Sequence, residues 1–99
     1  MTFTFVFDTS AIEEYEEAII WYGAHSVSAM NNFIKSVNSK IDDICIAPTL
    51  YRNRYRKYRE ATLSRFPYSI VYLIDEKAKI VSITSIYHHK RNPKRKYKK

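Results

Sequence analysis

Residues 65 to 93 read RFPYSIVYLIDEKAKIVSITSIYHHKRNP, and the rest of the chain is arranged around the way this stretch folds. Tyr68 to Ile74 and Ile80 to Tyr87 are rich in Ile, Val, Tyr and Thr. Between them, Asp75-Glu76-Lys77-Ala78-Lys79 is a polar break of hairpin-loop length. In the first run Tyr68, Ile70, Tyr72 and Ile74 alternate with Val71 and Leu73, so neither face can be wholly wet, and the two strands are expected to be central ones. Directly afterwards the composition flips to His88-His89-Lys90-Arg91-Asn92-Pro93. Imidazole, guanidinium and ammonium groups thus stand at the rim of a rigid sheet, where a site can be held in place.

Upstream of the hairpin, residues 2 to 7 alternate Thr and Phe before Val6-Phe7 and predict a short strand with Phe3 and Phe5 on one face, joining the hairpin's sheet. Ser10 with Glu13 three residues later fits a capping box. Ile12, Tyr15, Ile19 and Tyr22 recur at helical spacing, and Gly23 is the expected left-handed stop. Ser26 or Ser28 opens a second helix whose stripe is Met30, Ile34, Val37, Ile41 and Ile44, widened by Phe33 and Cys45, and Pro48 ends it. The short connection makes the pair an antiparallel helical hairpin lying across one face of the sheet, with His25 as a solvated loop residue. Thr49 to Arg54 reads as a connector and Tyr55 to Ala61 as a third, weakly apolar strand, with Tyr55, Lys57 and Arg59 on one face and Arg56, Tyr58 and Glu60 on the other. The fold class expected is α+β, an antiparallel sheet packed by a helical hairpin in β-α-α-β-β-β order. Residues 1–93 form the single domain, followed by a flexible basic tail at 94–99.

Ninety-nine residues, 45% of them hydrophobic, suffice for one two-layer core. No apolar run is long enough for a membrane helix, and the start of the chain lacks the basic residues of a signal peptide, so a cytoplasmic protein is expected. Cys45 among Ile41, Ile44 and Ile46 reads as a core thiol. Charge is segregated along the chain. Residues 1–50 hold two Lys against seven carboxylates, a balance of −5; residues 51–99 hold fifteen Lys or Arg against three, a balance of +12. Such a half suits a polyanion such as RNA or DNA, or an acidic protein partner.

Several chemistries fall away on residue type alone. His88 and His89 project to opposite faces and no Asp, Glu or Cys follows to complete a ligand set, so no metal is expected. No glycine-rich loop exists to hold a nucleotide cofactor. What remains is work on a phosphodiester without metal: deprotonating a 2′-hydroxyl, neutralising the phosphate and protonating the leaving oxygen. Lys57, Arg59, Arg65, His88, Arg91 and Tyr97 are of the right kinds. The same groups would also serve plain RNA binding, with phosphates on cations and bases on tyrosines.

Arg-Phe-Pro-Tyr opening a strand that continues Ile-x-Tyr, then a second strand ending in His-x-x-Arg-Asn-Pro, resembles the C-terminal half of RelE/ParE superfamily toxins of bacterial type II toxin–antitoxin modules. The resemblance implies a cognate antitoxin and one of two targets. For members that cut mRNA on the ribosome, it implies a pair of basic strand residues at Lys57 and Arg59, an arginine at Arg91 and a tyrosine at Tyr97. The arginine those members carry just after the strand tyrosine is replaced here by Ser69, so Arg65 or Arg56 would have to reach the same phosphate. The catalytic set of that reading is Arg59, Arg65, His88, Arg91 and Tyr97, with Arg56, Lys57, Lys90, Lys94 and Arg95 holding nucleic acid. Members that poison DNA gyrase share the fold, often carry a histidine at the His88 position, and need no catalytic set. The first expectation is the ribosome-dependent mRNA endonuclease; the alternatives are a gyrase inhibitor without catalytic activity and a non-catalytic RNA-binding or inactive toxin homologue.

Overall fold

The computed structural model describes residues 2–90. The elements run β1 (Thr4–Phe7), α1 (Thr9–His25), α2 (Val27–Ile46), β2 (Arg52–Tyr55), β3 (Tyr58–Thr62), β4 (Tyr68–Asp75) and β5 (Ile80–His88). The sheet order is β1-β5-β4-β3-β2. The β4–β5 hairpin is therefore central, as its two-sided apolar pattern requires. Eight residue pairs from Tyr68↔His88 to Asp75↔Ile80 hold its register, with one irregularity at Val71/Tyr72. At the loop, Ala78 N donates to Asp75 Oδ1 at 3.0 Å. The expected α+β architecture holds, and the sheet is mixed rather than purely antiparallel. β1 lies parallel to β5, with Phe7 opposite Ile83, because the helical hairpin carries the chain away across the sheet before it returns.

The helices bury one face of the sheet. Phe33 on α2 stands 5.0 Å from the Tyr68 ring and Tyr22 on α1 stands 6.3 Å from it. Ala11, Ala18, Phe33, Val37, Ile41, Ile44 and Cys45 pack with Ala61, Leu63, Tyr68, Ile70, Tyr72, Val81, Ile83 and Ile86 in one core. Cys45 is the expected core thiol, and burial, with Asp42 nearby, pushes its thiol up. The Tyr72 hydroxyl is buried at the foot of α2 and donates to the Pro48 carbonyl at 2.6 Å, which joins the end of that helix to the middle of β4. Burial pushes Tyr72 well above its ordinary range, and Tyr15 and Tyr51 also rise, chiefly by burial.

Several local expectations are corrected. Helix α1 starts two residues earlier than a Ser10 cap would place it, with Asp8 at the N-cap position. Ser10 Oγ instead donates to the Thr84 carbonyl at 3.2 Å. Glu14 accepts from Ser85 Oγ at 2.8 Å and from Ile86 N at 3.0 Å. β1 ends opposite Ile83, so the outer edge of β5 beyond it would be bare, and these α1 side chains satisfy backbone groups that a strand neighbour would otherwise bond. Ile12 is 42% exposed, because Ala11 and Ala18, not Ile12, complete the buried stripe with Tyr15, Ile19 and Tyr22. Gly23 does not end the helix, which runs on to His25. Its service is close approach: a Cβ there would meet Met30 Sδ at 3.0 Å where α1 turns back into α2. Ser26 closes α1 and caps α2, accepting from Ala29 N. His25 is exposed, yet it belongs to the last turn of α1, stacked 4.1 Å from Trp21 with Nδ1 on the Trp21 carbonyl.

The largest correction lies at residues 52–62. In place of a connector and one strand there is a second hairpin, in which β2 and β3 pair Tyr55 with Tyr58 around a two-residue turn of Arg56 and Lys57. Arg56 takes φ 52°, a left-handed conformation that glycine or asparagine usually signals at such turns. Lacking that signal, the sequence reads straight through.

Candidate functional site

Side chains alternate along β4, so Ser69 and Val71 turn away from the aromatic core that Tyr68, Ile70 and Tyr72 enter. Cross-strand pairing adds Thr62 opposite Ser69, Glu60 opposite Val71 and Tyr87 opposite Ser69. This face carries a polar chain. Ser69 is 1% exposed, and its hydroxyl lies 3.1 Å from Thr62 Oγ1 and 2.9 Å from His89 Nε2. Beside it, the Tyr87 hydroxyl donates a short hydrogen bond to Glu60 Oε2, and Arg54 Nε stands 3.9 Å from Glu60 Oε1. His89 is anchored further by its backbone, whose N–H donates to the Pro67 carbonyl at 2.9 Å, and its ring meets the Tyr87 ring edge-on at 5.9 Å. His88 points the other way, its ring edge-on to Tyr68 at 5.1 Å and its Nδ1 accepting from Lys90 N.

The cations expected to act together are divided between the two ends of the sheet. Arg56 and Lys57 form the β2–β3 turn, at the same end as the β4–β5 loop. Arg65 lies in the β3–β4 loop, at the end where β5 finishes with His88 and leads to Lys90. The five residues of β3 separate the two groups by roughly 16 Å. Between them, Arg59 faces the core side and spends its guanidinium on the chain: Nη1 donates to the Thr49 carbonyl at 3.2 Å and the Tyr51 carbonyl at 2.7 Å. Lys57 and Arg59 do not share a strand face, because Lys57 is in the turn. Arg91, Lys94, Arg95 and Tyr97 lie outside the described residues, as does the expected tail.

Glu60, Thr62, Ser69, Tyr87 and His89 form a network that residue-type reasoning did not assemble. One signal was available in a serine set inside an otherwise apolar strand, which asks for a polar partner. The partners themselves come from registers that no local pattern prints.

A family model described as ParE toxin of type II toxin-antitoxin system, parDE, matches residues 5–93. No curated protein matches the sequence. Among solved structures, the chain resembles the chromosomal ParDE toxin–antitoxin system from P. aeruginosa at 13% identity and TM-score 0.70, covering 88% of this chain and 96% of that one. The isolated E. coli RelE toxin aligns at 15% identity and TM-score 0.67, covering 92% and 88%. The intact E. coli RelBE toxin–antitoxin complex aligns at 15% identity and TM-score 0.65, covering 90% and 99%. At these identities the structures speak for the fold, while the family match spans most of the chain.

Proposed function

Since the chain belongs to the ParE toxin family of type II toxin–antitoxin systems, we propose that it poisons its target by binding rather than by cutting RNA, with DNA gyrase in the cytoplasm as that target and a cognate antitoxin holding it inactive. The observation that carries this reading is the division of the cations. A metal-free ribonuclease site needs its phosphate clamp and proton carriers on one scissile bond. Here Arg56 and Lys57 sit at one end of the sheet, Arg65, His88 and Lys90 at the other, and Arg59 is committed to two carbonyls. Ser69, at the strand position where RNA-cutting relatives carry arginine, is buried and hydrogen-bonded. A binding toxin needs no such convergence. Its antitoxin would neutralise the basic half with acidic residues, so co-expression with an adjacent acidic partner is expected to relieve toxicity.

The RNA-cutting reading has one observation in its favour: Arg65, His88 and Lys90 gather at the end of the sheet where Arg91 follows in sequence. Two assays on the purified chain separate the readings. Incubation with gyrase and supercoiled plasmid is expected to trap double-strand breaks that depend on the toxin, with mRNA on translating ribosomes left intact. Cleavage of that mRNA by the wild type, falling about a hundredfold in Arg91→Ala as loss of one preorganised charge donor does, would overturn the binding mechanism.

A further inference from the structure

Lys35 and Lys40 are the only Lys or Arg residues in the first half of the chain, and both line a single groove. Its floor is one face of α2, where Asn32, Ser36, Ser39 and Asp43 follow one another at helical spacing. The opposite wall is the β3–β4 loop, Ser64 to Phe66, with Arg65 facing the two lysines across a cavity of about 340 Å³. The helical face runs for roughly 16 Å at the α-helical rise. Both walls are held. Phe66 packs edge-on against Tyr22 and Phe33, each at 5.3 Å, which pins the loop that carries Arg65 to the core. Lys40 is steadied at the far end, its Nζ 5.5 Å over the Tyr51 ring.

We propose that this groove binds a nucleic-acid strand through its phosphates. The inventory of hydrogen-bonding groups chooses between polyanions. Two ammonium groups, a guanidinium, an amide and three serine hydroxyls supply donors, against one carboxylate, Asp43. The phosphates of a nucleic-acid strand present acceptor oxygens only, which match this excess of donors. An acidic peptide brings its own backbone N–H groups, for which the groove offers fewer acceptors than donors: the Asp43 carboxylate, the Asn32 amide oxygen and the serine hydroxyls. Charge placement agrees. The acidic half of the chain lends its only two cations to the wall opposite a basic loop, so three cations from distant positions meet on one surface. This site is separate from the polar chain around Ser69. It holds whether the strand belongs to DNA on gyrase or to RNA, and so does not rest on the target assigned above.

The test uses the full chain and a labelled single-stranded oligodeoxynucleotide of about twelve bases, a length within the usual site sizes of strand-binding grooves. Affinity is measured across a salt series for the wild type, for Lys35→Gln/Lys40→Gln, and for Lys77→Gln/Lys79→Gln, which removes the same charge from the distant β4–β5 loop. The groove variant is expected to bind about tenfold more weakly. Its slope of log affinity against log salt is expected to shrink by about 1.4, two single-strand contacts at about 0.7 each, while the loop variant keeps most of both. Arg65→Gln, which removes one cation without altering α2, is expected to weaken binding in the same way and to shrink the slope by about 0.7, one contact. Equal losses in both double variants would mean diffuse attraction and overturn the site, and so would competition by polyglutamate as effective as that by unlabelled oligonucleotide. A labelled RNA and a duplex of the same sequence show which strand the groove prefers. Because neither gyrase nor ribosomes are present, a negative result leaves the target assignment untouched.

Discussion

The two antiparallel hairpins of this sheet are neighbours built on opposite principles. In β4–β5 most residues are buried, and Ile70, Val71, Tyr72, Val81 and Ile83 are wholly so; in β2 every residue is exposed. The central hairpin is held by apolar burial from both strands, which declares itself as long runs of β-branched and aromatic residues. The outer hairpin is held by particular side chains: Arg59 ties it to the 49–51 carbonyls, Glu60 links Arg54 to Tyr87, and the Tyr55 and Tyr58 rings stack at 6.4 Å beside the turn. Burial of many atoms tolerates variation in any one of them, whereas an anchored hairpin depends on a few bonds. The exposed hairpin also carries the turn cations Arg56 and Lys57, so the solvent-facing part of the sheet is the part that presents charge.

Truncation in each hairpin should break this contrast most visibly. Ile70→Ala removes a wholly buried side chain and is expected to cost about 2–5 kcal/mol in urea unfolding, whereas Tyr55→Ala, at an exposed β2 position, is expected to cost under about 1 kcal/mol. Equal losses would mean that the outer hairpin shares the core.

Alkali should act on the buried side alone. Tyr72, Tyr15 and Tyr51 have folded-state values raised above the ordinary 10.0, so their contribution is intact while the phenol is neutral in both states. Above pH 10 the unfolded chain ionises first and the folded state holds its protons, so stability falls by up to about 1.4 kcal/mol per pH unit for each group until the folded value is passed. Tyr72→Phe is expected to flatten that decline and to cost about 1 kcal/mol at neutral pH through loss of the bond to Pro48. A decline of unchanged steepness would assign it to other groups.

A finer test cuts the anchor instead of the core. Glu60→Gln weakens the links to both Arg54 and Tyr87 and is expected to cost about 1 kcal/mol. Hydrogen exchange should then quicken at the β2–β3 amides and stay unchanged in β4–β5. Uniform quickening would show that the two hairpins open together. Smallest of all, Arg56→Gly relieves the left-handed φ of 52° but loosens the unfolded chain, so the net change is expected to stay within about 1 kcal/mol.

What the sequence determined by itself follows from patterns that close over a few residues. Period-two runs of Tyr, Ile and Val announced β4 and β5, and the spacing of Val37, Ile41 and Ile44 announced α2. The Phe-Pro-Tyr and His-x-x-Arg-Asn-Pro segments pointed to the toxin superfamily. Only the tertiary structure decided what depends on distant partners. Arg56 was placed in a turn because packing overrides the usual turn residues, and Gly23 was kept inside a helix because Met30 approaches it. Glu14 was drawn to the bare edge of β5, more than seventy positions away. Lys35 and Lys40 were set opposite Arg65, a convergence that no window of sequence contains. Local propensity is a property of neighbours along the chain, whereas a site is a property of neighbours in space, and in this fold the helical hairpin is what brings α2 up against the β3–β4 loop.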